Sequence, residues 1–104
     1  MKVSFANPVR TVRVLYADGA VETVDSLSGD PSDTLKLLQD SVGGYIETYP
    51  IEPLESLYPP EVPLVIVFDE EGRLKNKSLN TEASRLVPFN LFGTAVICPR
   101  HYLD

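Results

Sequence analysis

The stretch DPSDTLKLLQDSVGGYIETYPI, residues 30–51, decides the fold class. Its first half repeats apolar residues at helical spacing. Leu35, Leu38 and Val42 fall at i, i+3 and i+7, Leu37 widens their stripe, and Lys36, Gln39 and Asp40 take the opposite side. Asp30 is a good N-cap, Pro31 fits the first helical position, and Asp33 sits where a carboxylate favours the positive helix end. These signals predict a helix over residues 31–42. Gly43 falls at the C′ position, where a helix stops in the left-handed conformation that glycine adopts readily. Gly44 frees the turn into a strand over residues 45–51, whose alternation fails past Pro50. Two consecutive glycines also leave bare amides that a ligand or a neighbouring chain can approach.

Outward from this stretch the chain reads as strands and turns. In RTVRVLYADGAVETVD, residues 10–25, Val12, Val14 and Tyr16 alternate with Arg13 and Leu15. Asp18-Gly19 is a hairpin turn, and residues 20–24 return. Lys2 to Phe5 are expected to add a short strand. Residues 52–63, EPLESLYPPEVP, form a proline-rich acidic loop. Its Leu54, Leu57 and Tyr58 either pack back on the core or offer a contact surface. Residues 64–68, LVIVF, are apolar throughout, as in an interior strand. Asp69-Glu70-Glu71-Gly72 reads as a tight turn with Gly72 at positive φ, leading to a partner strand from Arg73 to Lys75. Asn80 caps a short helix over residues 81–86. Residues 94–98 form a last strand, and residues 99–104 are expected to be a mobile tail.

The expectation is one α+β domain over residues 1–104. It has a mixed, mostly antiparallel sheet, one main helix and one short helix. The predicted core is Val12, Val14, Leu35, Leu38, Val42, Ile46, Leu64, Ile66, Phe68, Leu86, Val96 and Cys98.

Composition narrows the function. The chain has 104 residues, 43% hydrophobic and 23% charged, as in an ordinary globular domain. No apolar run approaches the roughly 20 residues that span a bilayer. The first residues lack an apolar run of signal-peptide length, so a cytoplasmic location without membrane attachment is expected. The net charge is −6, and from Glu47 to Glu71 there are seven carboxylates and no base. Direct nucleic-acid binding through a basic face is therefore not expected. Arg73, Lys75, Lys77, Arg85 and Arg100 either balance that acidic segment or form a local anion patch. Cys98 is the only cysteine, so no intrachain disulfide and no thiolate zinc cage can form. It sits in an apolar run and reads as a buried structural thiol.

Several pieces stand in a recognisable order: Val42-Gly43-Gly44-Tyr45-Ile46-Glu47, then Val67 to Gly72 with Leu74, then Leu79-Asn80 with Ala83 and Leu86, then Gly93-Thr94-Ala95-Val96-Ile97. The order resembles a family of small uncharacterised domains common in phages, plasmids and other mobile elements. The resemblance covers about residues 35–98. The chain departs from the pattern in its long proline-rich connection before Leu64 and in KNKSLN, which lacks the family's usual proline before Asn80. The resemblance implies a phage-encoded accessory protein and carries no activity.

Catalysis has little to work with. His101 is the only histidine, and no nucleophile elbow, phosphate-binding P-loop or zinc-protease motif occurs. The acids at residues 69–71 lack calcium-loop spacing, so no metal or cofactor is expected. The expected activity is binding. A nucleotide or other small ligand would use the Gly43 and Gly44 amides, Tyr45 for stacking, Glu47 and Asn80 for polar contacts, and Arg73 or Arg85 for phosphate. The alternative is an interaction module that meets a host protein through an acidic face. Exposed strand edges also admit a homodimer.

Overall fold

A computed structural model of the chain describes residues 10–26, 31–53 and 58–103. The proposed strand at Lys2 to Phe5, the cap Asp30, the side chains of Asp33 and Leu35, and Leu54 and Leu57 lie outside the described residues. The element order is β1 (Arg10–Leu15), β2 (Val21–Ser26), α1 (Pro31–Val42), β3 (Ile46–Ile51), β4 (Leu64–Asp69), α2 (Thr81–Ser84), β5 (Ala95–Pro99) and a 3₁₀ turn (Arg100–Leu103).

The five strands form one sheet in the order β2-β1-β5-β4-β3. Every pairing among the described residues is antiparallel, in keeping with the expected α+β domain with a mostly antiparallel sheet. β5 comes last in sequence and occupies the centre. It joins the β1–β2 hairpin to the β3–β4 pair. The β1–β2 turn places Gly19 at φ +96°, and Ala20 N–H donates to Asp18 Oδ1 at 2.9 Å.

Both faces of the sheet are covered, which explains the unbroken apolar runs in β4 and β5. Val12, Val14, Val65, Val67, Val96 and Cys98 face α1 and pack with Leu38 and Val42. Leu15, Leu64, Ile66, Ala95 and Ile97 face the other way and pack under Ala83 and Leu91 of the 79–92 excursion. Period 2 therefore persists in β4, but both phases are apolar, so alternation is invisible in the letters. Burial pushes the Cys98 thiol up to about 12 and leaves it an inert core group. Ile46, Phe68 and Leu86 of the expected core are only partly buried, while Val65, Val67, Leu91 and Ile97 are buried in addition.

The 79–92 excursion is closed at its neck by a bridge between Leu79 and Phe92. Asn80 is fully buried there. Its side-chain oxygen accepts from Ala83 N–H at 3.0 Å and caps α2. Its amide donates to Leu15 O at 3.0 Å and Gly93 O at 2.8 Å. The short helix is a single turn, Thr81–Ser84, extended only by turn-type bonds from Arg85 and Leu86.

Two segments depart from expectation. Residues 73–75 form no strand, because both edges of β4 are already taken by β3 and β5. Glu71 to Lys75 instead make one helical turn. Asn76 closes it at φ 58°, with Asn76 N–H on Arg73 O and Lys77 N–H on Gly72 O. That is the bond pattern of a helix C-terminus ending in a left-handed residue. Gly72 is not at positive φ; it is needed because a Cβ there would lie 2.5 Å from Phe92 O.

The second segment is the expected tail. Pro99 ends β5, and residues 100–103 turn back so that Tyr102 is buried in the α1-side core. β1 extends past the last residue that pairs with β5. There Tyr102 Oη accepts from Thr11 N–H at 3.2 Å, and Tyr58 O–H donates to Thr11 O. Two tyrosine hydroxyls thus take the place of further strand partners. Tyr102→Ala is expected to cost about 3 kcal/mol and Tyr102→Phe about 1 kcal/mol in urea unfolding. A loss near zero for the alanine variant would restore the free-tail reading.

Candidate functional site

The densest polar arrangement lies where α1 ends, β3 begins and β4 finishes. Asp69, the last residue of β4, has a side chain with 0% exposure. An isolated buried carboxylate is costly, so it must be compensated. Lys75 Nζ lies 2.8 Å and Lys77 Nζ 2.6 Å from Asp69 Oδ2. Glu71 N–H donates to Oδ1 at 2.9 Å. The left-handed Asn76 reverses the chain between the two lysines, so both reach one oxygen. Burial pushes the Asp69 carboxyl up, but the bonds from Lys75, Lys77 and Glu71 N–H outweigh it and hold the group at about 2. The bond to Asp69 holds the Lys75 ammonium above its ordinary range.

The same lysines close the helix. Lys77 Nζ donates to Val42 O at 2.7 Å and Lys75 Nζ to Gly43 O at 3.4 Å. These carbonyls form the negative end of α1, where cations are favoured. Gly43 has φ +77°, as a C′ glycine should, and Gly43 N–H donates to Gln39 O. Gly44 answers a different need. A Cβ there would lie 2.5 Å from Lys75 Nζ and 2.8 Å from Asp69 Oδ2. The glycine pair therefore makes room for the Asp69–lysine cluster against the helix end.

The expected ligand residues do not converge on one place. Gly43, Gly44 and Tyr45 line an open recess of about 530 Å³ with Gln39, Asp40 and Lys75. Tyr45 is 74% exposed at its rim. Glu47 is exposed on β3, opposite Phe68. Arg73 lines a second recess of about 290 Å³ with Phe68, Glu70, Phe89, Asn90 and Phe92. Arg85 lies on the rim of a third recess on the α2 side. Asn80 is buried at the neck, with both amide N–H groups and its oxygen engaged. Phe89 and Asn90 were not legible as site residues. They are near Arg73 only because the 79–92 excursion folds over the end of β4.

The described acids of this segment do not gather in one place either. Asp69 is neutralised inside the protein. Glu70 and Glu71 lie at the Tyr45 end of the β3–β4 pair, while Glu52 and Glu61 lie beyond the Ile51–Leu64 end. With six residues in β3, the two groups are separated by roughly 20 Å. Among the described residues no three His, Cys, Asp or Glu side chains are placed to share a metal ion. None of the described helices is long and apolar enough to cross a membrane.

The family described as "Domain of unknown function (DUF3846)" matches residues 12–102. The chain belongs to the DUF3846 family. The match runs from Val12 within β1 through the buried Tyr102, so the DUF3846 unit contains all of the sheet but the first two residues of β1, both helices and the Asp69 cluster. No curated protein and no solved structure matches the chain.

Asp69 ties stability to acid. Its folded value of about 2 lies below the ordinary 3.8. The stabilisation is therefore complete above about pH 4 and is lost as pH falls towards 2, a term on the order of 2 kcal/mol. Asp69→Asn should cost about 3 kcal/mol at neutral pH and flatten the acid limb between pH 4 and 2, read by urea unfolding at each pH. Gly44→Ala should cost roughly 1–3 kcal/mol in the same assay, by forcing apart the groups it would touch.

Proposed function

We propose that this DUF3846 domain is a non-catalytic cytoplasmic accessory protein of a phage or other mobile element. It acts by binding and sequestering a small flat anionic ligand of the nucleotide class. One observation carries the reading. In the recess between the 70–76 turn and residues 89–92, the rings of Phe68, Phe89 and Phe92 lie beside Arg73. No described residue makes an ion pair with the Arg73 guanidinium. Phe89 is 38% exposed and braced by Tyr49 at 5.2 Å and Phe68 at 5.7 Å, centroid to centroid. A braced, part-exposed ring is a stacking platform, and an unpaired guanidinium is a phosphate partner. Asn90 and Glu70 on the same recess supply the polar groups that can read a base edge.

The Tyr45 recess suits an anion less well. Its lysine is already held by Asp69, and Asp40 and the carbonyl end of α1 stand beside it. The reading as an acidic interaction face has weaker support, since the carboxylates divide between two ends of the β3–β4 pair.

The test is a thermal-shift and calorimetric screen against mono-, di- and cyclic nucleotides. Binding to the folded state raises apparent stability by mass action. One class should bind. Arg73→Ala and Phe89→Ala should each weaken it about tenfold or more, whereas Tyr45→Ala should leave it unchanged. A flat screen of a cooperatively melting protein, or binding indifferent to Arg73→Ala, would sink the proposal.

A further inference from the structure

A second cationic recess lies elsewhere, on the α2 side of β1. Val12 and Val14 face α1, so Arg13 and Leu15 face the opposite side. Arg13 lines a groove of about 240 Å³ with Leu15, Val21, Leu86, Ile97 and Arg85, and Glu82 stands at its rim. The Arg13 Nε atom is shut off from solvent and has no hydrogen-bond partner. Buried donors are almost always paired, so an orphan of this kind asks for an explanation. Among the described side chains the neighbouring strands do not supply one. Opposite Arg13 stand Thr23 on β2 and Ile97 on β5, neither of them charged. Glu22 is turned to the other face, where its carboxylate accepts from Tyr16 O–H at 2.5 Å. No described carboxylate makes an ion pair with Arg13. Arg85 has only an exposed contact to Glu82 at 3.5 Å, the kind of surface pair that holds little.

We propose that this groove is a binding site for an organic carboxylate with an apolar body. The carboxylate would lie across the Arg13 guanidinium, whose planar fork matches it, with Arg85 as a second donor. The apolar body would rest on Leu15, Val21, Leu86 and Ile97. Val21 is 54% exposed, an apolar rim residue that such a body would cover. The groove has room for one aryl or branched alkyl group with its acid. That chemistry is found in a free small acid and in the C-terminal residue of a peptide. The site shares none of its lining residues with the Arg73 recess, so it stands or falls independently of the nucleotide reading.

The experiment uses the full chain and amide-resolved NMR titration with three probes: 3-phenylpropionate, its uncharged amide, and a short acetylated peptide ending in phenylalanine with a free carboxylate. The acid should perturb residues 13, 15, 21, 86 and 97 together, and the amide should bind about tenfold more weakly or not at all. Tighter binding of the peptide than of the free acid would assign the site to a chain terminus; the reverse would assign it to a small metabolite. Arg13→Met keeps the apolar stem and should abolish the preference for acid over amide, while Arg73→Ala should leave it intact. Equal affinity for acid and amide in the unaltered protein, or no perturbation at those residues, would overturn the proposal, and neither result depends on a variant folding.

Discussion

A carboxylate with no solvent exposure sits at the end of β4, and the surrounding architecture is arranged to keep it ionised. Asp69 could not remain charged there alone. Two ammonium groups and one backbone amide surround it, and the ammonium groups in turn reach the last carbonyls of α1. One buried charge thus fastens four separate pieces of chain: the helix end, the start of β3, the end of β4 and the 70–77 turn. Each piece carries a device that the cluster requires. Gly43 turns the chain, Gly44 makes room, and Asn76 brings the second lysine back.

A second constraint is the central position of β5. A strand that arrives last in sequence must find a gap between β1 and β4, and its residues must be apolar on both faces because both faces are covered. Where β5 ends, β1 would be left with unpaired backbone groups. The hydroxyls of Tyr58 and Tyr102 answer them from two different parts of the chain. Burial pushes the Tyr58 phenol well above its ordinary range, so it stays protonated and can donate. At the other end of the β1–β5 seam, the Asn80 amide does similar work for Leu15 O. The edge strand β3 is blunted by Pro50. Glu70 N–H donates to Tyr45 O, so along β3 the groups of Ile46, Thr48 and Pro50 point away from β4, and the proline has no N–H to offer there.

The cations of the protein divide by what holds them. Lys75 and Lys77 are committed to Asp69 and the helix end and act as structure. Arg73 and Arg13 have no ion-pair partner among the described residues and lie in recesses with apolar or aromatic walls. On the readings proposed above, the two arginines, rather than the two lysines, would make the ligand contacts. A net charge of −6 does not forbid anion binding when the local field is set by an unpaired guanidinium in a sheltered recess.

By itself the sequence determined what rests on neighbours in the chain. The helix over 31–42 followed from its spacing and from Pro31, its end at Gly43 from the left-handed requirement, the first hairpin from Asp18-Gly19, and the α2 cap from Asn80. These are short-range effects, and the letters carry them. Contacts between distant residues were decided only by the tertiary structure. Arg73 to Lys75 read as a strand because a turn after an apolar strand usually begins a hairpin; β3 and β5 had taken both edges of β4. Asp69 read as the first acid of a tight turn, and Lys75 and Lys77 as charges that balance the acidic segment or form an anion patch, because nothing local says that a carboxylate there is buried. Gly44 read as a loosened turn, and its need for space arises from groups about 25 to 31 residues further along the chain. Tyr102 read as tail, since only β1 folding beside it supplies the Thr11 partner. The recesses followed the same rule: Arg73, Phe89 and Asn90, or Arg13 and Arg85, become neighbours only when the 79–92 excursion closes over the sheet.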